Sequence, residues 1–177
     1  EARVLHLLGQ VCGSLHEAHS AGLIHRDIKP GNLFLCERGG VPDTVKVLDF
    51  GLVGRASGTH GKAPAEAELP DTSRFLGTPL YMAPETIRQH GFGDARTDIY
   101  AVGAVGYMLL TGEPVFDGED HTVIWQKHLT AAPVPPSMRA TRNLSPEVER
   151  LILACLAKDP AERPQSVAEL AAVLLAC

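Results

Sequence analysis

The chain has 177 residues, 45% of them hydrophobic, and a formal net charge of −5. That length supports one domain with a sizeable core, and the acidic balance excludes a general nucleic-acid binder while setting no substrate class. Four scattered cysteines, Cys12, Cys36, Cys155 and Cys177, contain no CxxC pair, which fits a reducing cytosol and excludes a disulfide framework or a zinc knuckle.

Val4, Leu8, Val11, Leu15 and Ala18 recur at helical spacing beside Leu5 and Cys12. They predict a helix over 2–21, stopped by Gly22. Leu33-Phe34-Leu35 and Val45-Lys46-Val47-Leu48 read as short strands, with residues 39–43 as the hairpin loop between them. Phe34, apolar within a strand, reads as a core residue. From Gly54 to Thr72 the chain turns to Gly, Ala, Ser, Pro and charge without periodicity, which reads as a mobile loop. Residues 97–110 are nearly all apolar and predict a central buried helix. The apolar run from Ala101 to Leu110 falls short of the ~18 residues that span a bilayer. Ala131 to Pro136 is a Pro-rich connection. Ser145-Pro146-Glu147 opens a further helix with a cap residue and a proline, and its stripe is Val148, Leu151, Ile152 and Cys155. Ser166 and Glu169 are spaced as a capping box for the last helix. There are no internal repeats, and the elements add up to a mainly helical domain carrying a small β-hairpin. The first residue is not Met and no signal peptide is evident, so the chain is expected to be part of a longer, cytoplasmic polypeptide, any membrane anchor lying elsewhere in the parent.

Two strings are decoys. In His16-Glu17-Ala18-His19 the second histidine comes one residue too early for a zinc-protease helix, since position 20 is Ser. Both histidines read as exposed helix residues. Gly61-Lys62 is no P-loop, because Ala56 stands for the first glycine and Ala63 for the hydroxyl residue.

Three other strings carry chemistry: His25-Arg26-Asp27-Ile28-Lys29-Pro30-Gly31-Asn32, Asp49-Phe50-Gly51 and Ala83-Pro84-Glu85. Each alone recurs by chance, but all three in this order, with the five-residue step from Asp27 to Asn32, form a strong signal. They resemble the catalytic loop, metal-binding turn and substrate-loop anchor of a protein kinase. From Glu1 to Ala176 the chain is similar to the C-terminal lobe of eukaryotic-like serine/threonine protein kinases. Asp98-Ile99-Tyr100-Ala101-Val102-Gly103 and Leu110-Thr111-Gly112-Glu113-Pro114-Val115-Phe116 resemble the bacterial branch, and Asp159-Pro160-Ala161-Glu162-Arg163-Pro164 fits the family's late segment. Ile28 stands where Leu is usual, a conservative departure. The implied fold is the helical lobe of an α+β parent, a helical bundle with the β-hairpin at the cleft. It divides into a catalytic loop at 25–32, an activation segment at 49–85 and a helical subdomain at 95–177.

The resemblance implies a protein serine/threonine kinase that uses ATP and Mg2+. Asp27 is the implied base for the attacking hydroxyl, and Lys29 the stabiliser of the transferring phosphoryl group. Asn32 and Asp49 are the implied metal ligands, hard oxygen donors suited to magnesium. Phe34 is expected beneath the adenine ring. His25 and Phe50 are expected to stack in a hydrophobic column, with Gly51 completing the turn. Gly77, Thr78 and Pro79 form the implied substrate loop, Thr78 contacting Asp27 and Lys29. Asp98 is expected to cap the catalytic-loop backbone, and Glu85 to pair with Arg163. Lys29 and Gly77-Thr78 follow the Ser/Thr pattern, and Leu52 leans toward serine acceptors. Arg26 before Asp27 resembles kinases switched on by activation-loop phosphorylation, with Thr72 and Ser73 as candidate phosphosites and Ser57 and Thr59 more distant.

The family's Gly-rich loop, strand lysine and helix glutamate do not occur in this sequence. An N-terminal lobe in cis is therefore an expected partner, and the isolated chain is expected to bind MgATP poorly and to expose apolar groups such as Phe34 and Phe50. The other implied partners are a protein with a Ser/Thr acceptor and, by analogy, a trans-phosphorylating dimer; no nucleic acid and no membrane contact are implied for this segment. Two alternatives remain: a pseudokinase or scaffold lobe that binds without catalysis, and a small-molecule phosphotransferase of kinase-like fold. Intact Asp27, Lys29, Asn32 and Asp49 weigh against the first; Thr78, the Ala83-Pro84-Glu85 anchor and Asp98 weigh against the second.

Overall fold

The computed structural model describes residues 1–49, 54–55, 79–88 and 93–177. Phe50, Gly51, Leu52, Ser57, Thr59, Thr72, Ser73, Gly77 and Thr78 lie outside the described residues. In chain order the elements are α1 (Ala2–Ser20), β1 (Leu23–Ile24), β2 (Leu33–Arg38), β3 (Val41–Val47), β4 (Gly54–Arg55), α2 (Pro84–Arg88), α3 (Arg96–Thr111), α4 (His121–Thr130), α5 (Pro146–Cys155) and α6 (Val167–Ala176). Short 3-10 turns lie at Pro30–Asn32, Pro79–Tyr81, Pro136–Met138 and Pro160–Glu162.

The core is built around α3. Every residue from Thr97 to Tyr107 is buried, so this helix has no wet face along most of its length. Such an all-round apolar helix must be enclosed by others. The helix α1 packs on it with Leu8, Val11, Cys12 and Leu15, and α5 with Val148, Leu151, Ile152 and Cys155. Helix α6 closes against α1. Two glycines set how near the helices come. A Cβ on Gly103 would stand 2.5 Å from the Cys155 Cβ, and one on Gly106 would stand 2.7 Å from the Ile152 Cδ1. At Gly103 the facing atoms are the Cβ and backbone of Cys155, so α3 and α5 approach closely there, whereas at Gly106 the facing atoms are side-chain tips of Ile152 and Leu8.

The helix ends follow local chemistry. Ser145 accepts from the Val148 N–H and Pro146 occupies the first turn of α5. Ser166 accepts from the Glu169 N–H. Glu169 reaches back one residue further than a capping box requires, to the Gln165 N–H at 2.7 Å. Helix α4 has no clear apolar stripe, and its one sequence signal is Asp120, whose carboxylate accepts from the Val123 N–H. The chain leaves α1 at Ala21 and turns at Gly22, where φ is +73°.

Strands β2 and β3 pair antiparallel, Leu33 opposite Val47 and Cys36 opposite Thr44. The loop is shorter than the five residues expected from the sequence. Arg38 pairs with Val41, so the turn is Gly39-Gly40 alone, both at positive φ. Val41, Pro42 and Asp43 belong to β3. The register shifts between Cys36 and Arg38, and Asp43 takes φ +56° at this irregularity. Its carboxylate receives both Nε and Nη2 of Arg3, at 2.8 and 2.7 Å, and its carbonyl receives the Gln10 Nε2 at 2.7 Å. The Gln10 Oε1 accepts from the Val45 N–H. Helix α1 thus clasps the hairpin by the edge. A second correction concerns Gly54–Arg55, read from sequence as part of a loop. Its backbone pairs with β1, Ile24 opposite Gly54. Two residues are too few to show a period-2 pattern.

Candidate active site

The loop after β1 hangs on one carboxylate. Asp98, in the first turn of α3, is fully buried. Its Oδ2 accepts from the His25 N–H at 2.9 Å and its Oδ1 from the Arg26 N–H at 2.8 Å. The His19 Nε2 also lies 2.8 Å from Oδ2. A buried carboxylate is tolerable only when its lone pairs are met, and here three donors meet them. Arg26 stands at φ +66°, a left-handed conformation costly for a non-glycine residue, on the order of 1–3 kcal/mol. The grip of Asp98 on both flanking N–H groups offsets that cost.

His25 is also fully buried. Its Nδ1 accepts from the Asp27 N–H at 3.2 Å, which places the ring proton on Nε2, and Nε2 donates to the Leu48 carbonyl at 3.0 Å. The Leu48 N–H in turn donates to the Asn32 carbonyl at 2.8 Å. These bonds sew the end of the hairpin to the loop. They bring the stretch leading to Asp49 beside Asn32.

Around Asp27 the side chains converge. The Lys29 Nζ donates to Asp27 Oδ2 at 2.7 Å, and the Asn32 Nδ2 donates to the same oxygen at 3.0 Å and to the Asp27 carbonyl at 2.8 Å. The 3-10 turn Pro30–Asn32 folds Asn32 back over the loop, its N–H donating to the Lys29 carbonyl. Asp27 and Lys29 keep modest exposure, 15% and 23% of their side chains, so the pair opens to solvent on one side. Asp49 is exposed and adopts φ +62°, the second strained non-glycine residue of the site.

These groups suit a hard divalent cation. Asn32 spends its N–H bonds on Asp27, which turns its carbonyl oxygen to the other side of the amide. Carboxylate and carboxamide oxygens are the donors magnesium takes while keeping several waters. No cluster of three or more His, Cys, Asp or Glu able to hold a metal occurs among the described residues. Phe34 lies two residues beyond Asn32 and is 55% exposed, not in the core as its strand position suggested. With Leu48 it forms apolar surface beside the polar cluster.

The anchor meets the same end of α3, one residue from Asp98, through Thr97. Arg163 meets Glu85 with two bonds of 2.7 Å, and both residues are buried. The remaining donors of Arg163 reach the carbonyls of Arg96, Ala157 and Lys158, and its guanidinium lies 4.9 Å over the Tyr100 ring. Thr97 donates to the Glu85 Oε1 at 3.1 Å. Pro79, the described member of the expected substrate loop, is buried and opens the turn Pro79–Tyr81. Arg26 is held differently from Arg163. Its Nη2 reaches the Gly93 carbonyl at 3.5 Å, and its Nε is buried without a hydrogen-bond partner. Arg26 and Asp27 line a small cavity of about 20 Å3 with Tyr81 and Thr86.

Sequence reasoning missed several residues of this network. His19, read as exposed, has only 11% of its side chain in solvent and contacts Asp98. Gln10 and Thr97 carry no motif, and the string holding Tyr100 gives no hint of its partner. Their partners lie 12 to 33 residues away in the chain, and only the folded neighbourhood identifies them.

Residues 1–173 match the family model described as protein kinase domain. The chain is 43% identical over 98% of its length to serine/threonine-protein kinase pkn3 of Myxococcus xanthus, covering 32% of that protein. It is 36% identical over 98% of its length to serine/threonine-protein kinase PknB of Mycolicibacterium smegmatis, covering 26% of it. Against the probable serine/threonine-protein kinase PknB of Corynebacterium glutamicum the identity is 40% over 95% of the chain and 25% of the relative. The chain thus spans about a quarter to a third of the length of these curated relatives.

Proposed function

The chain belongs to the protein kinase domain family, and on that premise we propose that it is the C-terminal lobe of a serine/threonine protein kinase. The proposed reaction moves the ATP γ-phosphoryl group to a Ser or Thr hydroxyl of a protein. The carrying observation is the Asp27 carboxylate, which accepts from both Lys29 and Asn32. Asp27 orients the acceptor hydroxyl and takes its proton. Lys29, already 2.7 Å from Asp27, places a cation where the transferring group would pass. Asn32 and Asp49 are the proposed magnesium ligands, and the metal's chemistry there is charge neutralisation on the ATP phosphates. Asp98 holds the loop's backbone, so the catalytic carboxylate is positioned before substrate arrives.

The Gly-rich loop and strand lysine that this chemistry also needs are assigned to an N-terminal lobe in the parent. The exposed Phe34 and Leu48 support a covering partner on that face, with Phe34 beneath the adenine. A cytoplasmic parent is part of the proposal. Among the described residues no helix is long and apolar enough to cross a membrane. Arg26 supports regulation by phosphate. Its guanidinium has one long carbonyl contact and no carboxylate partner among the described residues, so a phosphate on Thr72 or Ser73 is the proposed counter-charge. A trans-phosphorylating dimer would deliver that phosphate.

The test is phosphopeptide mapping with the full-length parent and its Asp27→Asn variant. The parent should phosphorylate serine or threonine in a protein, and the variant should lose about 1,000-fold in kcat, in the range for a lost general base and its oriented charge. Turnover kept within about tenfold would reject Asp27 as the base.

A further inference from the structure

Two orphaned polar atoms meet at one cavity. The Nε of Arg26 and the hydroxyl oxygen of Thr86 are both buried without a hydrogen-bond partner. They come from different elements. Arg26 precedes the catalytic carboxylate, and Thr86 lies in α2 directly after Glu85 of the anchor. Thr86 is only 6% exposed, so bulk solvent does not serve its hydroxyl. Both residues line the cavity of about 20 Å3 between the catalytic loop and α2.

The chemistry of these atoms narrows what fills that space. A guanidinium N–H only donates, and it keeps its proton at any physiological pH, so it cannot be relieved by titration. A hydroxyl both donates and accepts. Buried groups of this kind are met by protein or by an ordered water, because an unmet one forfeits the bonds it makes in solvent. A water needs about 10–15 Å3 and two to four polar partners, and this cavity is large enough for one. A third partner is on the wall: Thr97 spends its hydroxyl proton on the Glu85 Oε1 at 3.1 Å, which leaves its lone pairs to accept. An ion does not suit the site. The guanidinium repels a cation, and Asp27, which lines the same cavity, repels an anion.

We propose that one water sits in this cavity, accepting from the Arg26 Nε–H and donating to the Thr86 hydroxyl, and that Thr86 is thereby a positioning residue for Arg26. The water ties the anchor to the catalytic loop. Glu85 seats α2 through Arg163, and Thr86 passes that seating to a planar guanidinium whose outer nitrogens turn with its Nε. The effect on activity rests on the reading of Arg26 as the phosphate partner. The water itself does not.

The experiment uses the full-length parent labelled with 15N at arginine, with Thr86→Val, Thr86→Ser and, to assign the signal, Arg26→Lys. Valine keeps the branched shape and removes the hydroxyl, while serine keeps the hydroxyl. In the wild-type parent the Arg26 Nε–H should show a direct nuclear Overhauser contact to a long-lived water. Thr86→Val should abolish it. At equal phosphate content, Thr86→Val should also lower the gain in kcat/KM of phosphorylated over phosphatase-treated parent by about threefold or more. Thr86→Ser should retain the water contact and hold that gain within about twofold of wild type. No water contact in the wild-type parent would mean a dry cavity and overturn the inference. A contact that survives Thr86→Val would overturn it too, since the water would not depend on the hydroxyl. A lower melting temperature in Thr86→Val with the gain unchanged would mean a purely structural role and reject Thr86 as a positioning residue. If phosphatase leaves wild-type activity unchanged, or the parent phosphorylates no peptide, the reading of Arg26 or of the kinase fails; the Arg26 signal in wild type and Thr86→Val still decides the water.

Discussion

The helical core around α3 and the β2–β3 hairpin treat their surfaces in opposite ways. In the core each buried charge is answered: Asp98 by three donors, Arg163 by a bidentate carboxylate and three carbonyls. On the hairpin and just beyond it, Phe34, Leu35, Val41 and Leu48 are 55%, 44%, 62% and 43% exposed. The hairpin's hold on the core includes polar clasps from Arg3 and Gln10. The contrast separates two jobs. The core supplies stability and a fixed frame for the Asp27 loop. The hairpin presents Phe34 on an apolar surface suited to a partner.

Removing one charge from the core should have the larger effect on folding. Arg163→Met strands Glu85 in a buried site and should cost about 3–5 kcal/mol in denaturant unfolding. A loss under about 1 kcal/mol would mean water reaches the pair and the contrast with the hairpin is weaker than drawn. On the hairpin, Phe34→Ser should change the stability of this chain by no more than about 0.5 kcal/mol, as for other exposed positions. In the full-length parent the same change should raise the KM for ATP, because there Phe34 would be covered. A large stability loss in the isolated chain would instead place Phe34 in a core contact.

The same division governs what could be read from sequence. The stripes of α1 and α5 named their buried residues because one wet face and one dry face leave a clear period. The all-apolar α3 was legible for the opposite reason, having almost no polar residue inside. Helix α4 was not, since it mixes His121, Trp125, Lys127 and His128 around its circumference and announces itself only by Asp120. The hairpin loop was read three residues too long, because Pro42 and Asp43 look like turn residues yet sit in β3 at a register shift. Phe34 was read as core from its strand, but an apolar side chain on a hairpin faces inward only if something packs on that side. Within the candidate site, the motif strings named Asp27, Lys29 and Asn32, whose side chains the fold brings into contact. They did not reveal His19, whose partner Asp98 lies 79 residues away, nor the Tyr100–His128 contact, which depends on how α3 and α4 meet. Long-range polar pairs leave no local periodicity.

Phosphoryl transfer as proposed requires Asn32 and Asp49 to serve one cation site beside Asp27. Electron paramagnetic resonance of Mn2+ in the full-length parent, with a non-hydrolysable ATP analogue, measures that site without requiring turnover. Asn32→Ala and Asp49→Ala should each weaken Mn2+ binding by about tenfold or more, and Phe34→Ser should leave the ligand field unchanged. Mn2+ affinity and spectrum unaffected by either ligand substitution would contradict it.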